Sequence, residues 1–231
     1  MKNSDLLTQA KARANEWLAG SIDDASKKDI RALLENKDTR PLIDSFYKSL
    51  EFGTGGLRGL MGVGSNCINQ YTIGSATQGL ANYLKKSFPD QPIRVAIAYD
   101  SRNNSKYFAE VTANVFSANG FEVYIFPELR PTPLLSFAIR HLKCHSGVVI
   151  TASHNPKEYN GYKAYWNDGA QLIPPHDANV IDEVNAITSF DKIKFTPDSS
   201  KIKSIGPEVE EAYYALVKSH IPKQECIHRQ S

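Results

Sequence analysis

Ser153-His154-Asn155-Pro156 follows the β-branched run Val148-Val149-Ile150 after two intervening residues, and Lys163 stands seven residues beyond that proline. The β-branched run reads as a short covered strand, since such side chains fit a pleated, packed surface. Asn155-Pro156 ends it, because proline lacks an N–H and pushes the residue before it out of helical space. Ser153 and His154 therefore fall where a strand emerges into a loop, the place where open α/β sheets hold ligands. Three chemistries are open to that serine. It can be a turn residue, as Ser, Asn and Pro are ordinary turn formers. It can be a hydrolytic nucleophile, although G-x-S-x-G is absent and adjacent side chains point apart, which makes His154 a poor base. Or it can carry a phosphoryl group, which needs an exposed hydroxyl and cations against a charge of about −1.5 to −2. Phosphoryl transfer asks for positioning and charge stabilisation more than for covalent machinery. Suitable cations stand elsewhere in the chain: Arg58 in a glycine-rich loop, Arg102 after a strand, and Lys163 itself.

The elements that must bring these groups together can be read from periodicity. The first fifty or so residues carry helical stripes, with Leu6, Ala10, Ala14, Trp17 and Leu18, then Ile30, Leu33 and Leu34, then Leu42, Ile43, Phe46, Tyr47 and Leu50 after Pro41. The glycine-dense segment 51–74 leads into a helix with Ile73, Ala76, Leu80, Tyr83 and Leu84 on one side. From residue 93 the pattern alternates: a strand at 93–100, a helix from a Ser105 cap to a Gly120 stop, and the strand FEVYIFP. A helix with Thr132 at its cap and Pro133 in its first turn follows, then the strand SGVVITAS. Such alternation predicts a three-layer α/β/α domain with a mainly parallel, mixed sheet covered on both faces. Residues 160–173 read as a hairpin turning at Asn167-Asp168-Gly169, with its aromatic residues packing the hairpin. Two helices, near 178–187 and 208–220, complete the chain. The expected organisation is a helical extension over 1–50, the α/β/α domain over 51–205, and a helix with the start of a linker over 206–231.

Bulk composition excludes several functions. Twenty-seven basic and 25 acidic residues give a net charge of +2 without a basic or acidic run, so a nucleic-acid partner is not expected. The sequence has no membrane-spanning run and no signal-peptide core. Cys67, Cys144 and Cys226 are scattered and odd in number, which argues against a disulfide framework or zinc site and for a reducing cytoplasm. The five histidines other than His154 show no metal spacing and read as structural or surface residues.

TASHNP at 151–156, running on into KEYNGYK, closely resembles the active-site serine loop of the α-D-phosphohexomutases, the phosphoglucomutase and phosphomannomutase family. EFGTGGLRG (51–59), AYDSR (98–102), ELRPTPLLSFAIRHL (128–142) and the hairpin AYWNDGAQLIPPHD resemble other segments of that family in the same order. The helical collar is most similar to that of the longer phosphoglucomutase and phosphopentomutase branch. The resemblance implies that Ser153 is held as a phosphoserine, gives its phosphoryl group to a sugar monophosphate, and regains the other one from a sugar 1,6-bisphosphate intermediate, which also serves as activator. It implies Arg58 beside the transferring phosphoryl group and Lys163 as proton shuttle or charge stabiliser at the sugar oxygen. His154 and Asn155 would shape the loop and touch substrate, and Asp100 and Arg102 would support it from behind.

The family also implies Mg2+, bound by the phosphoserine and three aspartates of a D-x-D-x-D loop, since hard oxygen ligands suit that ion. In this sequence Ser153, through its phosphoryl group, is the one such ligand; no two aspartates stand at i and i+2. The expectation is a first domain of a longer mutase, with the remaining mutase domains supplying metal and sugar selectivity, inactive by itself. A non-catalytic phosphosugar-binding or regulatory module is the alternative, and the sugar is not legible.

Overall fold

In the computed structural model, residues 3–53 and 55–221 are described; Cys226, His228 and the expected linker at 222–231 lie outside the described residues. Among the described residues the chain opens with three helices, α1 (Asn3–Ala19), α2 (Asp24–Glu35) and α3 (Arg40–Phe46), the last with its proline in the first turn. Their apolar stripes close on one another around Trp17, Ile30, Leu42 and Phe46. Tyr71, from the next helix, completes that cluster and fastens the collar to the rest of the protein. Its hydroxyl donates to Asp23 Oδ2 at 2.6 Å and accepts from the Asp23 amide at 2.7 Å. Burial works against the Asp23 carboxylate, but the hydrogen bonds from Tyr71 and Ser26 outweigh it and bring its pKa down to about 2.

The α/β region contains β1 (Gly56–Leu60), α4 (Gln70–Ser87), β2 (Arg94–Tyr99), α5 (Ser105–Ala118), β3 (Glu122–Ile125), α6 (Thr132–His141), β4 (Ser146–Ile150), β5 (Tyr159–Trp166), α7 (His176–Asn185), β6 (Ile202–Ser204) and α8 (Pro207–Ser219). Among the described residues these strands form one sheet in the order β1-β5-β4-β2-β3-β6. β4, β2, β3 and β6 run parallel, and β5 and β1 are antiparallel additions at one edge. Alternate residues of the central strands serve two cores. Val95, Ile97, Val148 and Ile150 pack with α4, α5 and α7, whereas Ala96, Ala98 and Val149 pack with α6 and α8. The expected three-layer mixed fold is the one observed.

Several local readings are corrected. The glycine-dense segment is not all loop, because Gly56–Leu60 pairs with β5, and Arg58 lies on that strand. The pairing is possible because Gly56 has no side chain: a Cβ there would stand 1.9 Å from the Tyr162 carbonyl oxygen. Ser105 does not cap α5. Asn104 occupies that position in a left-handed conformation, and the Ser105 hydroxyl is spent on Asp100 instead. Pro131, not Thr132, precedes the first turn of α6. β6 carries no alternation of its own, being three residues long, and gains strand identity only by pairing with β3. The hairpin turn after Trp166 is as expected, with Gly169 at φ +81, but its returning arm is a single bridge at Gln171.

Gly161, in the middle of β5, is a second tight point beside the site. A Cβ there would lie 2.6 Å from Thr151 O and 2.7 Å from Leu57 O, both backbone atoms that cannot swing away. Gly161→Ala should therefore cost about 1–3 kcal/mol, read as a lower urea midpoint at unchanged m-value.

Candidate active site

β2 and β4 are parallel neighbours, with Tyr99 opposite Ile150, so the segments that follow them emerge side by side at the same edge of the sheet. One carries Asp100 and Arg102 and the other carries Thr151 to Asn155. β5 then returns antiparallel to β4 and brings Lys163 opposite Val149. The result is a contact that spacing alone does not dictate: Lys163 Nζ donates to Ser153 Oγ at 2.7 Å. Arg58 sits on β1 two residues from the partner of Lys163, since Gly56 pairs with Lys163 and Arg58 with Gly161. Arg58 and Lys163 therefore project from the same face, opposite the buried Leu57 and Tyr162. Arg58 is exposed and, among the described residues, takes part in no hydrogen bond or ion pair.

Ser153 is exposed and adopts φ +56, a left-handed conformation that costs a non-glycine residue about 1–3 kcal/mol unless its surroundings impose it. The surroundings here are specific. Its amide donates to Thr151 Oγ1 at 3.0 Å, and Thr151 Oγ1 donates to Asp100 Oδ2 at 2.6 Å. Its carbonyl accepts from Arg102 Nη2 at 2.7 Å, and the same nitrogen reaches Asn155 O at 2.6 Å. Arg102 Nη1 takes Pro156 O at 2.9 Å and Tyr159 O at 3.0 Å, while Nε faces Asp100 Oδ2 at 3.4 Å. Asp100 Oδ1 accepts from Ser105 Oγ and from the Arg102 amide. Arg102 is thus spent on loop carbonyls, which leaves Lys163 and Arg58, of the three cations named from the sequence, open to a ligand.

His154 is exposed and, among the described residues, makes no hydrogen bond. Asn155 is half-buried, and its side-chain Oδ1 is buried without a partner, an arrangement that costs about 1–3 kcal/mol where nothing binds. Two residues behind the loop lie within the quoted motif but are given no role by it. Thr151 is a plain threonine until Asp100 is seen beside it, and Asn160, fully buried, donates from Nδ2 to Asn103 O and Ser105 Oγ.

The magnesium set implied by the resemblance can be tested against these donors. Asp100, the carboxylate that reaches the loop, has both oxygens occupied by Thr151, Ser105 and Arg102. Among the described residues no three His, Cys, Asp or Glu side chains cluster to hold a metal. The residues present do not build a magnesium site. Cys67 and Cys144 are free and buried, and burial pushes the Cys144 thiol up to about 12. Among the described residues no helix is long and apolar enough to cross a membrane.

Residues 49–191 match the family described as phosphoglucomutase/phosphomannomutase, alpha/beta/alpha domain I. The chain is 40% identical over 172 residues to a phosphopentomutase of Mus musculus, covering 71% of this chain and 28% of that protein. It is 41% identical over 173 residues to a phosphoribomutase of Saccharomyces cerevisiae, 74% of this chain and 28% of the relative. A glucose 1,6-bisphosphate synthase of Mus musculus is 40% identical over 173 residues, again with 28% of the relative covered. Among solved structures, a protein described as a phosphomannomutase from Thermus thermophilus superposes with a TM-score of 0.65 at 25% identity, over 75% of this chain and 36% of that one. The chain therefore spans about 28% of the length of the curated relatives it matches. The match over 49–191 is to one domain, and the serine loop, Arg58 and Lys163 all fall within it. This chain belongs to the phosphoglucomutase/phosphomannomutase family and holds its alpha/beta/alpha domain I.

Proposed function

We propose that this chain is the phosphoserine-bearing domain of a phosphosugar mutase, in which Ser153 alternately holds and yields a phosphoryl group. The observation that carries this reading is the 2.7 Å donation from Lys163 Nζ to Ser153 Oγ at an exposed strand end. In the forward step a sugar hydroxyl attacks phosphorus, the P–Oγ bond breaks, and the departing Oγ gains negative charge. An ammonium already hydrogen-bonded to that oxygen stabilises the charge and gives it a proton, and the amine so formed takes up the proton that the sugar hydroxyl loses. In the reverse sense Oγ attacks a phosphorus of the bisphosphate, the P–O bond to the sugar breaks, and the Ser153 proton passes through Lys163 to the departing sugar oxygen. Arg58, unpaired on the same face, suits the non-bridging phosphoryl oxygens, which match a guanidinium fork. His154, exposed on the same loop, is the further side chain we assign to sugar contact.

Mg2+ belongs to this reading only as an ion whose remaining ligands come from mutase domains that the chain does not span. A sugar 1,6-bisphosphate is the activator that charges the serine, and the substrate is a sugar monophosphate of pentose or hexose size. A reducing cytoplasm is the compartment we assign, in keeping with two buried free thiols.

The test is a coupled assay with ribose 1-phosphate and glucose 1-phosphate in the presence of magnesium and bisphosphate. The full-length protein containing this domain should isomerise at least one of them, and the 231-residue chain alone should show no turnover although folded by circular dichroism. Full-length protein inert toward both sugars would overturn the mutase reading, and turnover by the short chain would overturn its dependence on further domains.

A further inference from the structure

We infer that Asp100, Thr151 and Arg102 form a single clamp whose task is to hold Ser153 in its left-handed conformation, so that Oγ meets Lys163. The inference rests on the phosphoserine reading above and goes beyond it by assigning the cause of the serine's geometry. Both peptide groups of Ser153 are gripped from one carboxylate. On one side Asp100 Oδ2 orients the Thr151 hydroxyl, which receives the Ser153 amide. On the other side the Asp100 carboxylate pairs with Arg102, whose Nη2 holds the Ser153 carbonyl. Ser105 and the Arg102 amide occupy Asp100 Oδ1, so the carboxylate cannot turn away from either arm.

Two consequences follow from this wiring. The Ser153 amide points back into the clamp, so it does not serve as a donor to a phosphoryl group. Arg102 is a positioning residue, because its guanidinium is spent on four carbonyls, those of Ser153, Asn155, Pro156 and Tyr159. A lysine in its place keeps the charge but cannot bridge four acceptors from one point.

A thiol at position 153 reports this geometry independently of sugar chemistry. The 231-residue chain with Ser153→Cys and Cys226→Ser is alkylated with iodoacetamide across pH, the buried Cys67 and Cys144 reacting slowly. Held against Lys163, the thiol should titrate at least about one unit below the ordinary value near 8.5. Adding Arg102→Lys or Thr151→Val, neither of which changes net charge, should return it toward that ordinary value, whereas Thr151→Ser should leave it low. Circular dichroism checks that each variant is folded, and Thr151→Val against Thr151→Ser decides the matter where Arg102→Lys fails to fold. A low value that persists in folded Arg102→Lys and Thr151→Val protein overturns the clamp, as does an ordinary value in the starting variant. Neither outcome depends on whether the full-length protein turns over sugar, so failure of the clamp and failure of the mutase reading are separable.

Discussion

Ser153→Ala in the full-length protein should abolish phosphoryl uptake and, with it, turnover. Incubation with glucose 1,6-bisphosphate should add about 80 Da, one phosphoryl group, to the peptide carrying residues 151–163, and the alanine variant should add none. The expected loss in kcat is on the order of 10⁶, the scale on which removing a covalent nucleophile acts. Nothing nearby can take over: the Thr151 hydroxyl is turned inward onto Asp100, and that of Ser105 is buried against the same carboxylate. Because Ser153 is exposed and, among the described residues, its side chain hydrogen-bonds to Lys163 alone, the variant should fold with wild-type stability. Phosphoryl label on a different serine, with Ser153 unmodified, would sink the assignment.

Lys163→Met should produce the second largest effect, a fall in kcat of about 10²–10³ with a much smaller change in KM, as expected when a donor at developing charge is removed. The split follows from position. Lys163 contacts the oxygen whose charge changes most as the P–Oγ bond breaks, so its contribution grows toward the transition state. Arg58 offers a contrast within the same site. Arg58→Ala takes away a group that meets phosphoryl oxygens charged throughout, so KM should rise along with the fall in kcat. Single-turnover transfer from phosphorylated protein to sugar isolates the chemical step; a Lys163→Met rate within a few-fold of wild type would return that lysine to a merely structural strand position.

Much of this was legible before any coordinates. The β-branched run before Ser153-His154-Asn155 is a strand in any environment that covers it, and Asn155-Pro156 must end it, because those constraints are local backbone sterics. The helix stripes of the collar and of α4 to α6 are likewise properties of spacing, and a helix stands at each of them. Charged residues capable of serving a phosphoryl group could be named as types, since their chemistry travels with the side chain.

Other features were decided only in three dimensions. β1 and β6 have no pattern strong enough to declare them, and each exists because an edge of the sheet was there to pair with: β5 for the glycine-dense segment, β3 for Ile202–Ser204. Arg58 and Arg102 look alike as lone arginines beside turns, yet one ended exposed on an edge strand and the other folded over four carbonyls. The difference lies in which strands are neighbours, since the parallel pairing of β2 with β4 puts Arg102 against the serine loop. Thr151, Asn160 and the left-handed Ser153 were invisible for the same reason. A hydroxyl, an amide and a backbone angle acquire a role only when the fold supplies the partner; that of the Thr151 hydroxyl, Asp100, is fifty-one residues away along the chain but 2.6 Å away in space.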